Sequence, residues 1–281
     1  MEQSNLSNTR WLTFANSTVA IEYDDTPPTV KMMEFLYRHV PFDEKIPPHV
    51  TYRLAYQDQF SLYRDNTLVY SGVDEAILAE LFLGDTIYHL VDQSRDGLLF
   101  HAAALSWQGQ GVLLPAASGS GKTTLTAWLL TKKLVYLTDE VVFIPQQTRL
   151  MQTFTRPLNL KRTARTALHP VFDFDRYAAN ILSSAYADLV PPTLLGQADP
   201  LNDLPVGLII FPCYQAESDF VWQPLSKGQA GLELMKFLVN ARNLTEHGFP
   251  EIARLVREVP AFKLRYSSFQ QVEAHLAEIF G

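Results

Sequence analysis

Residues 98–145 read LLFHAAALSWQGQGVLLPAASGSGKTTLTAWLLTKKLVYLTDEVVFIP. Inside this stretch, Ala116-Ala117-Ser118-Gly119-Ser120-Gly121-Lys122-Thr123 follows the GxxxxGK[ST] pattern, with alanine in place of the first glycine. The flanks suit a phosphate-gripping loop. Gly111–Leu114 is a short apolar run of the kind found in buried strands, and Leu125, Trp128 and Leu129 recur at helical spacing after Lys122. Strand, loop and helix in that order aim backbone amides and a helix N-terminus at an anion. Gly119 and Gly121 admit backbone conformations closed to other residues. On this reading Ala117, Ser118, Gly119, Ser120, Gly121, Lys122, Thr123 and Thr124 cradle a nucleotide's phosphates. Lys122 reaches the outer phosphates and the Thr123 hydroxyl ligates Mg²⁺. The competing reading is a Gly/Ser-rich turn ending at a helix with a solvated lysine.

Upstream, Gln108-Gly109 can make a two-residue reversal into the loop strand. That register places His101 opposite Ala116, at the mouth of the loop. His101 is then either a satisfied core residue or a group that touches phosphate or moves a proton. Downstream, Leu134–Leu137 has a strand pattern and runs into Thr138-Asp139-Glu140. Lys122 and Asp139 lie 17 residues apart, room for one short helix and a return strand. The spacing predicts the acidic pair on the strand beside the loop strand, where a metal or an attacking hydroxyl would be met. A further strand pair is predicted over Val141–Pro145 and Arg149–Phe154. The basic run Thr155–Arg162, with Arg165 after it, offers Arg156 and Lys161 as groups to neutralise a transferring phosphate. A solvated basic turn explains the same run equally well.

The first third divides into strands over 11–23, 49–57, 59–65 and 66–72, with a short helix over 29–39. Asp74 is the expected N-cap of a helix running to about 93, with Ile77, Leu78, Leu81 and Phe82 on its buried face. This third carries no catalytic spacing of His, Cys or paired carboxylates and reads as a packing or recognition unit. After the basic run, a helix is expected over Ala178–Leu189, loops at Pro191-Pro192 and Asp199–Asp203, and a buried strand over Pro205–Pro212. Cys213 reads as a small core residue. Ser226 with Gln229, Pro250, and Ser268 with Gln271 mark three helix starts, with a strand over Ala261–Tyr266.

The 281 residues carry a formal charge of −7, which argues against a general nucleic-acid binder. A lone cysteine rules out an intramolecular disulfide and suits a reducing compartment. The opening residues lack a signal-peptide core, and no apolar run approaches a membrane span. The expectation is a cytoplasmic protein, with neither membrane nor nucleic acid as partner and with homo-oligomerisation left open.

Taken together, these motifs resemble the catalytic domain of the HPr kinase/phosphorylase superfamily, bacterial serine kinases built on a phosphate loop. The resemblance lies in the spacing of His101 to Lys122, and in Asp139-Glu140-Val141-Val142, where that family has an Asp-Asp pair before a valine. Arg156-Pro157-Leu158-Asn159-Leu160-Lys161 resembles the RP-x-x-LK run of the smaller HPr-kinase-related proteins. Phe211-Pro212-Cys213-Tyr214 resembles their FPRY run, with Cys213 in place of arginine. The resemblance implies an α/β fold, with a phosphate-loop kinase core of the HPr kinase C-terminal domain type over residues 96–281. A small β-rich α+β N-terminal domain over residues 1–95 precedes it.

It also implies an ATP-dependent kinase that moves the γ-phosphate to a hydroxyl on a peptide, a protein or a small molecule. Lys122 and the loop would hold ATP, and Thr123, Asp139 and Glu140 would hold Mg²⁺. Asp139 would be the general base, and His101 would contact the transferred phosphate. The glycine-rich signature of true HPr kinases is absent, and the first third does not read as their N-terminal domain. Both departures point away from HPr as acceptor, and the resemblance to the HPr-kinase-related subgroup implies a peptide or small carrier instead. Two other functions fit the motifs less closely: a nucleotide-binding regulatory module with no acceptor, and a carboxykinase-like enzyme, for which no second metal-ligand set is visible.

Overall fold

The computed structural model describes residues 7–40, 46–198 and 203–280. The first six residues and most of the Asp199–Asp203 loop lie outside them. The described residues form a mixed α/β fold with three sheets and helices packed on them.

The first sheet has the order β1-β2-β3-β4-β5 (Asn8–Phe14, Ser17–Tyr23, Val50–Gln57, Gln59–Arg64, Thr67–Gly72). Ala15 and Asn16 both take positive φ, the two-residue turn that matches strand twist and fixes the first hairpin. Helix α1 (Pro27–Tyr37) crosses over to the parallel β2–β3 pair, and α2 (Glu75–Asp92) follows β5. Asp74 caps α2 through the amides of Ala76 and Ile77. The expected buried face is wrong by part of a turn: Leu78 and Phe82 are buried, but Ile77 and Leu81 are each 44% exposed. Ala79, Leu83, Thr86, Ile87 and Leu90 complete the inward stripe. The helix is apolar almost all round, so its periodicity could not fix which face turns inward.

This first core does not close on itself. Phe14 and Tyr37 pack edge-on against Phe154, and Phe143 joins them from the second sheet. The N-terminal elements therefore grip the segment that leads to Arg156.

The second sheet is built on β6 (Gly97–Trp107) and β7 (Gln110–Pro115). Their turn is Gln108-Gly109, both at positive φ, and the pairing Ala102 with Pro115 through Trp107 with Gln110 holds the predicted register. Helix α3 (Lys122–Leu130) follows β7, then β8 (Val135–Thr138), β9 (Val141–Pro145) and β10 (Leu150–Thr153). Strand β8 does not lie beside β7, contrary to the spacing argument; it pairs with β6. Both flanks of β7 are occupied, by its hairpin partner β6 and by a later parallel strand, so the return strand must go one place further. β8 and β9 together run antiparallel to β6, with a register shift at Leu137 and a break at Asp139-Glu140.

A small third sheet follows, made of β11 (Leu158–Lys161), then after the short helix α4 (Ala164–Leu168), β12 (Leu182–Ser183) and β13 (Ala187–Val190). The helix expected over Ala178–Leu189 is absent. Ser184 accepts hydrogen bonds from the amides of Tyr186 and Ala187, a turn that competes with helix, and Asp188 is buried on a strand against arginines. The chain then returns to the second sheet through β14 (Leu204–Tyr214), β15 (Val221–Pro224) and, after α5 (Lys227–Met235) and α6 (Phe249–Glu258), β16 (Ala261–Tyr266). β14 runs parallel to both β7 and β16. The capping box of Ser226 with Gln229 opens α5, and Pro250 stands in the first turn of α6. Helices α7 (Phe269–Ala274) and α8 (Leu276–Phe280) divide the single closing helix expected after Ser268. Leu125, Trp128 and Leu129 of α3 pack with Leu264, Tyr266 and Val272 on one face of the sheet, and α5 and α6 cover the other.

Candidate functional site

One edge of the second sheet gathers His101, the 116–121 loop with Lys122, and Asp139-Glu140. Strands β7, β8, β14 and β16 all end there, and the register brings His101 of β6 to the same edge. Across that edge the order is Asp139-Glu140, His101, the 116–121 loop, then Tyr214 and Tyr266.

The loop leaves β7 at Ala116, which is buried and does not take positive φ, so the missing first glycine is accommodated without strain. Ala117, Ser118 and Gly119 are exposed. Gly119 and Gly121 both have φ of +86°. A side chain at Gly119 would meet nothing within 4 Å, whereas one at Gly121 would come within 3.0 Å of Tyr214 Cβ and 3.1 Å of Tyr266 Oη. Gly121 is the N-cap of α3, and Lys122, Thr123 and Thr124 form its first turn. The buried hydroxyl of Ser120 has no hydrogen-bond partner among the described residues. Open amides, an unpaired hydroxyl and a helix start together can accept an anion with several oxygens.

Lys122 turns away from the loop and is buried. Its Nζ donates to the Asp139 carbonyl at 2.8 Å and stands 3.4 Å from His101 Nε2. His101 Nδ1 lies 3.5 Å from Glu140 Oε1. Arg156, only 7% exposed, places Nε 3.4 Å from Asp139 Oδ1 and Nη2 3.3 Å from Glu140 Oε2. Tyr136 donates to Asp139 Oδ1 at 3.2 Å and to the Arg156 carbonyl at 3.0 Å. Two hydroxyls hold these parts in place: Thr138 donates to the Phe154 carbonyl and Thr155 to the Leu137 carbonyl, both at 2.7 Å. The N-terminal core, by gripping Phe154, thus sets where Arg156 lands.

Two cations and two carboxylates make the cluster formally neutral, the condition for burying charge at tolerable cost. Burial lowers the Lys122 pKa against the pull of Asp139 and Glu140. Burial, then Lys122, lowers that of His101, so its ring is neutral, with Nδ1–H facing Glu140 and Nε2 facing Lys122. Burial opposes the charge on Arg156, but Asp139 and Glu140 outweigh it and the pKa rises. Burial, followed by Asp139, pushes Tyr136 well above its usual range, so it remains a donor.

The predicted basic run is split three ways. Arg156 joins the acidic pair, Lys161 is exposed, and Arg162 and Arg165 turn to Asp188. Cys213 is half-buried in β14. Tyr136 was not singled out from the sequence, and Tyr214 entered only as the last residue of the FPRY-like run, with no role given to it. Tyr136 read only as a strand former, although its place three residues before Asp139 was a usable signal. Among the described residues no group of three or more His, Cys, Asp or Glu side chains is placed to hold a metal by itself, and no helix is long and apolar enough to cross a membrane.

No protein-family model matches the chain, and no curated protein sequence matches it. Among solved structures, the HPr(Ser) kinase/phosphatase from Coxiella burnetii is similar at 13% identity, over 65% of this chain and 99% of that one, with a TM-score of 0.32. It is a distant structural likeness.

Proposed function

We propose that this chain is an ATP-dependent kinase that transfers the γ-phosphate to a hydroxyl of a peptide, a protein or a small molecule. The observation that carries the reading is the shared edge. An open loop at the start of α3 and a network of two carboxylates and two cations, buried except at Glu140, meet there, and Lys122 belongs to both.

In this reading the loop amides, Ser120 Oγ and the first turn of α3 hold the phosphate oxygens of ATP. Thr123, Asp139 and Glu140 are the side chains available to Mg²⁺, which supplies charge neutralisation between the outer phosphates when bound. Lys122 exchanges the Asp139 carbonyl for a phosphate oxygen, and Arg156 balances the remaining negative charge. Tyr136 and Arg156 both contact Oδ1 of Asp139, which assigns Oδ2 the acceptor's proton. The acceptor oxygen bonds to the γ-phosphorus as the bond to the β,γ-bridging oxygen breaks, and ADP leaves with that electron pair. His101 holds Glu140 and Lys122 in register. Residues 1–95 serve as a packing and positioning unit, in keeping with their grip on Phe154.

One observation favours a second reading. Asp139 is only 2% exposed, so a ligand would have to open its network, as in a nucleotide-dependent switch with no acceptor. Incubation with Mg²⁺ and γ-labelled ATP, with candidate peptides read by mass spectrometry, separates the two. A labelled acceptor supports the kinase; nucleotide binding with slow hydrolysis and no labelled product on any acceptor supports the switch and sinks the kinase reading.

A further inference from the structure

Tyr214 is half exposed, at 50%, yet it is held in place from three sides. Its amide donates to the Ser120 carbonyl at 2.9 Å, which ties it to the loop. Its ring packs edge-on against buried Tyr266, with centroids 5.8 Å apart. Its Cβ would stand 3.0 Å from a side chain added at Gly121, so only glycine there lets the two segments approach. A single exposed tyrosine is ordinary. One fixed against the loop, at the C-terminal end of the strand parallel to the loop strand, is placed where open α/β sheets bind ligands.

The sheet order also gives this edge a direction. Asp139, Glu140 and His101 lie on the β6 side of the loop, and Tyr214 lies on the β14 side. With strands about 4.8 Å apart, β6 to β14 spans roughly 10 Å, comparable to the distance from a terminal phosphate to the base in a nucleoside triphosphate. We infer that Tyr214 is the stacking platform for the nucleobase, so that a purine nucleoside triphosphate lies across the strand ends with its base on Tyr214 and its γ-phosphate toward Asp139. This rests on the reading of the loop as a triphosphate site. An aromatic face accepts any base, and the larger two-ring face of a purine gains most.

The test is calorimetric binding of Mg²⁺·ATP and of Mg²⁺·tripolyphosphate, which lacks the base, to the full chain and to Tyr214→Ala and Tyr214→Phe. The expected result is a loss of about tenfold or more in ATP affinity for Tyr214→Ala, with tripolyphosphate binding unchanged and Tyr214→Phe close to the parent. Unchanged tripolyphosphate binding also certifies that the variant is folded. Equal ATP binding by Tyr214→Ala and the parent overturns the inference. So does a parallel loss of both ligands, because Tyr214 would then shape the loop and not touch the base. If the parent binds neither ligand, the triphosphate reading fails and takes this inference with it.

Discussion

Two buried aspartates in this molecule each meet arginine, and they are held very differently. Asp188 is fully buried, and Arg165 grips it with both Nε and Nη2, at 2.7 and 2.9 Å. Arg162 adds a contact at 3.1 Å and Ser183 one at 2.6 Å. Asp139 has one arginine contact, at 3.4 Å, and one hydroxyl, at 3.2 Å, both on the same oxygen. The first carboxylate is saturated, as a structural ion pair must be when it is taken out of water. The second keeps unspent capacity in an equally dry place, a costly arrangement that recurs where chemistry is done. Their pairing with one basic run teaches that residue type does not separate the two roles; the number and length of bonds to the carboxylate does.

That contrast can be broken in several ways. Short of removing the proposed base itself, the largest expected effect is on ligand binding. Lys122→Ala should weaken Mg²⁺·ATP by about 100-fold, roughly 3 kcal/mol, measured by calorimetry, with Tm lowered because the acidic pair loses a cation, but with the fold kept. A collapse of the fold instead would make the Asp139 cluster structural like its counterpart.

Next, Asp188→Ala should cost about 2–3 kcal/mol and lower Tm by roughly 5–10 °C. The figure is below that for a wholly buried pair because Arg162 and Arg165 are about a third exposed. Phosphotransfer at 20 °C, on the order of room temperature, should survive. Loss of transfer in the folded variant would erase the distinction between the two sites.

Gly121→Ala should cost about 1–2 kcal/mol, from its positive φ and from contact with Tyr214 and Tyr266. Gly119→Ala, with open space around it, should cost less. Urea unfolding of both variants checks the order.

The smallest effect is a pH dependence. The folded-state pKa of His101 is depressed below about 6.5, so in that range the unfolded chain binds more protons. Stability is unaffected above about pH 6.5 and falls as pH drops through the depressed value. Asp188 is also depressed: burial raises its pKa, but the bonds from Arg165 and Ser183 outweigh that. Its stabilisation is present above the usual carboxylate pKa and is lost further down, as pH falls through the folded value. Burial lowers His39 and His89 as well, so three histidines share the upper part of the acid limb. His101→Gln should make that part shallower and leave the lower part, and an unchanged upper limb would mean that His101 does not contribute to it.

Much of the site was legible because its signals are local. A two-residue turn at Gln108-Gly109 fixes the hairpin register and so the place of His101. The short gap from Lys122 to Asp139 forces the acidic pair to the same edge. Ser226 and Ser268 announce their helices through side chains that bond within a single turn. What escaped the sequence depends on distant chain. Nothing near β8 says that both flanks of β7 are taken, one of them by a strand nearly a hundred residues on. Residues 178–190 have helical composition, and only Arg162 and Arg165, from the turn after β11 and from α4, reveal that Asp188 must lie on a strand. Arg156 stood beside Lys161 as an equal candidate until the N-terminal core, through Phe154, placed one at the acids and left the other in water.

The most direct test of the phosphotransfer reading is Asp139→Asn, assayed with γ-labelled ATP and an acceptor that the parent chain labels, alongside its Tm and ATP affinity. Loss of a general base predicts a fall in transfer of about 10²–10⁴-fold, with ATP affinity and Tm close to the parent. Transfer at the parent's rate by a folded Asp139→Asn would contradict the assignment of this edge as the site of chemistry.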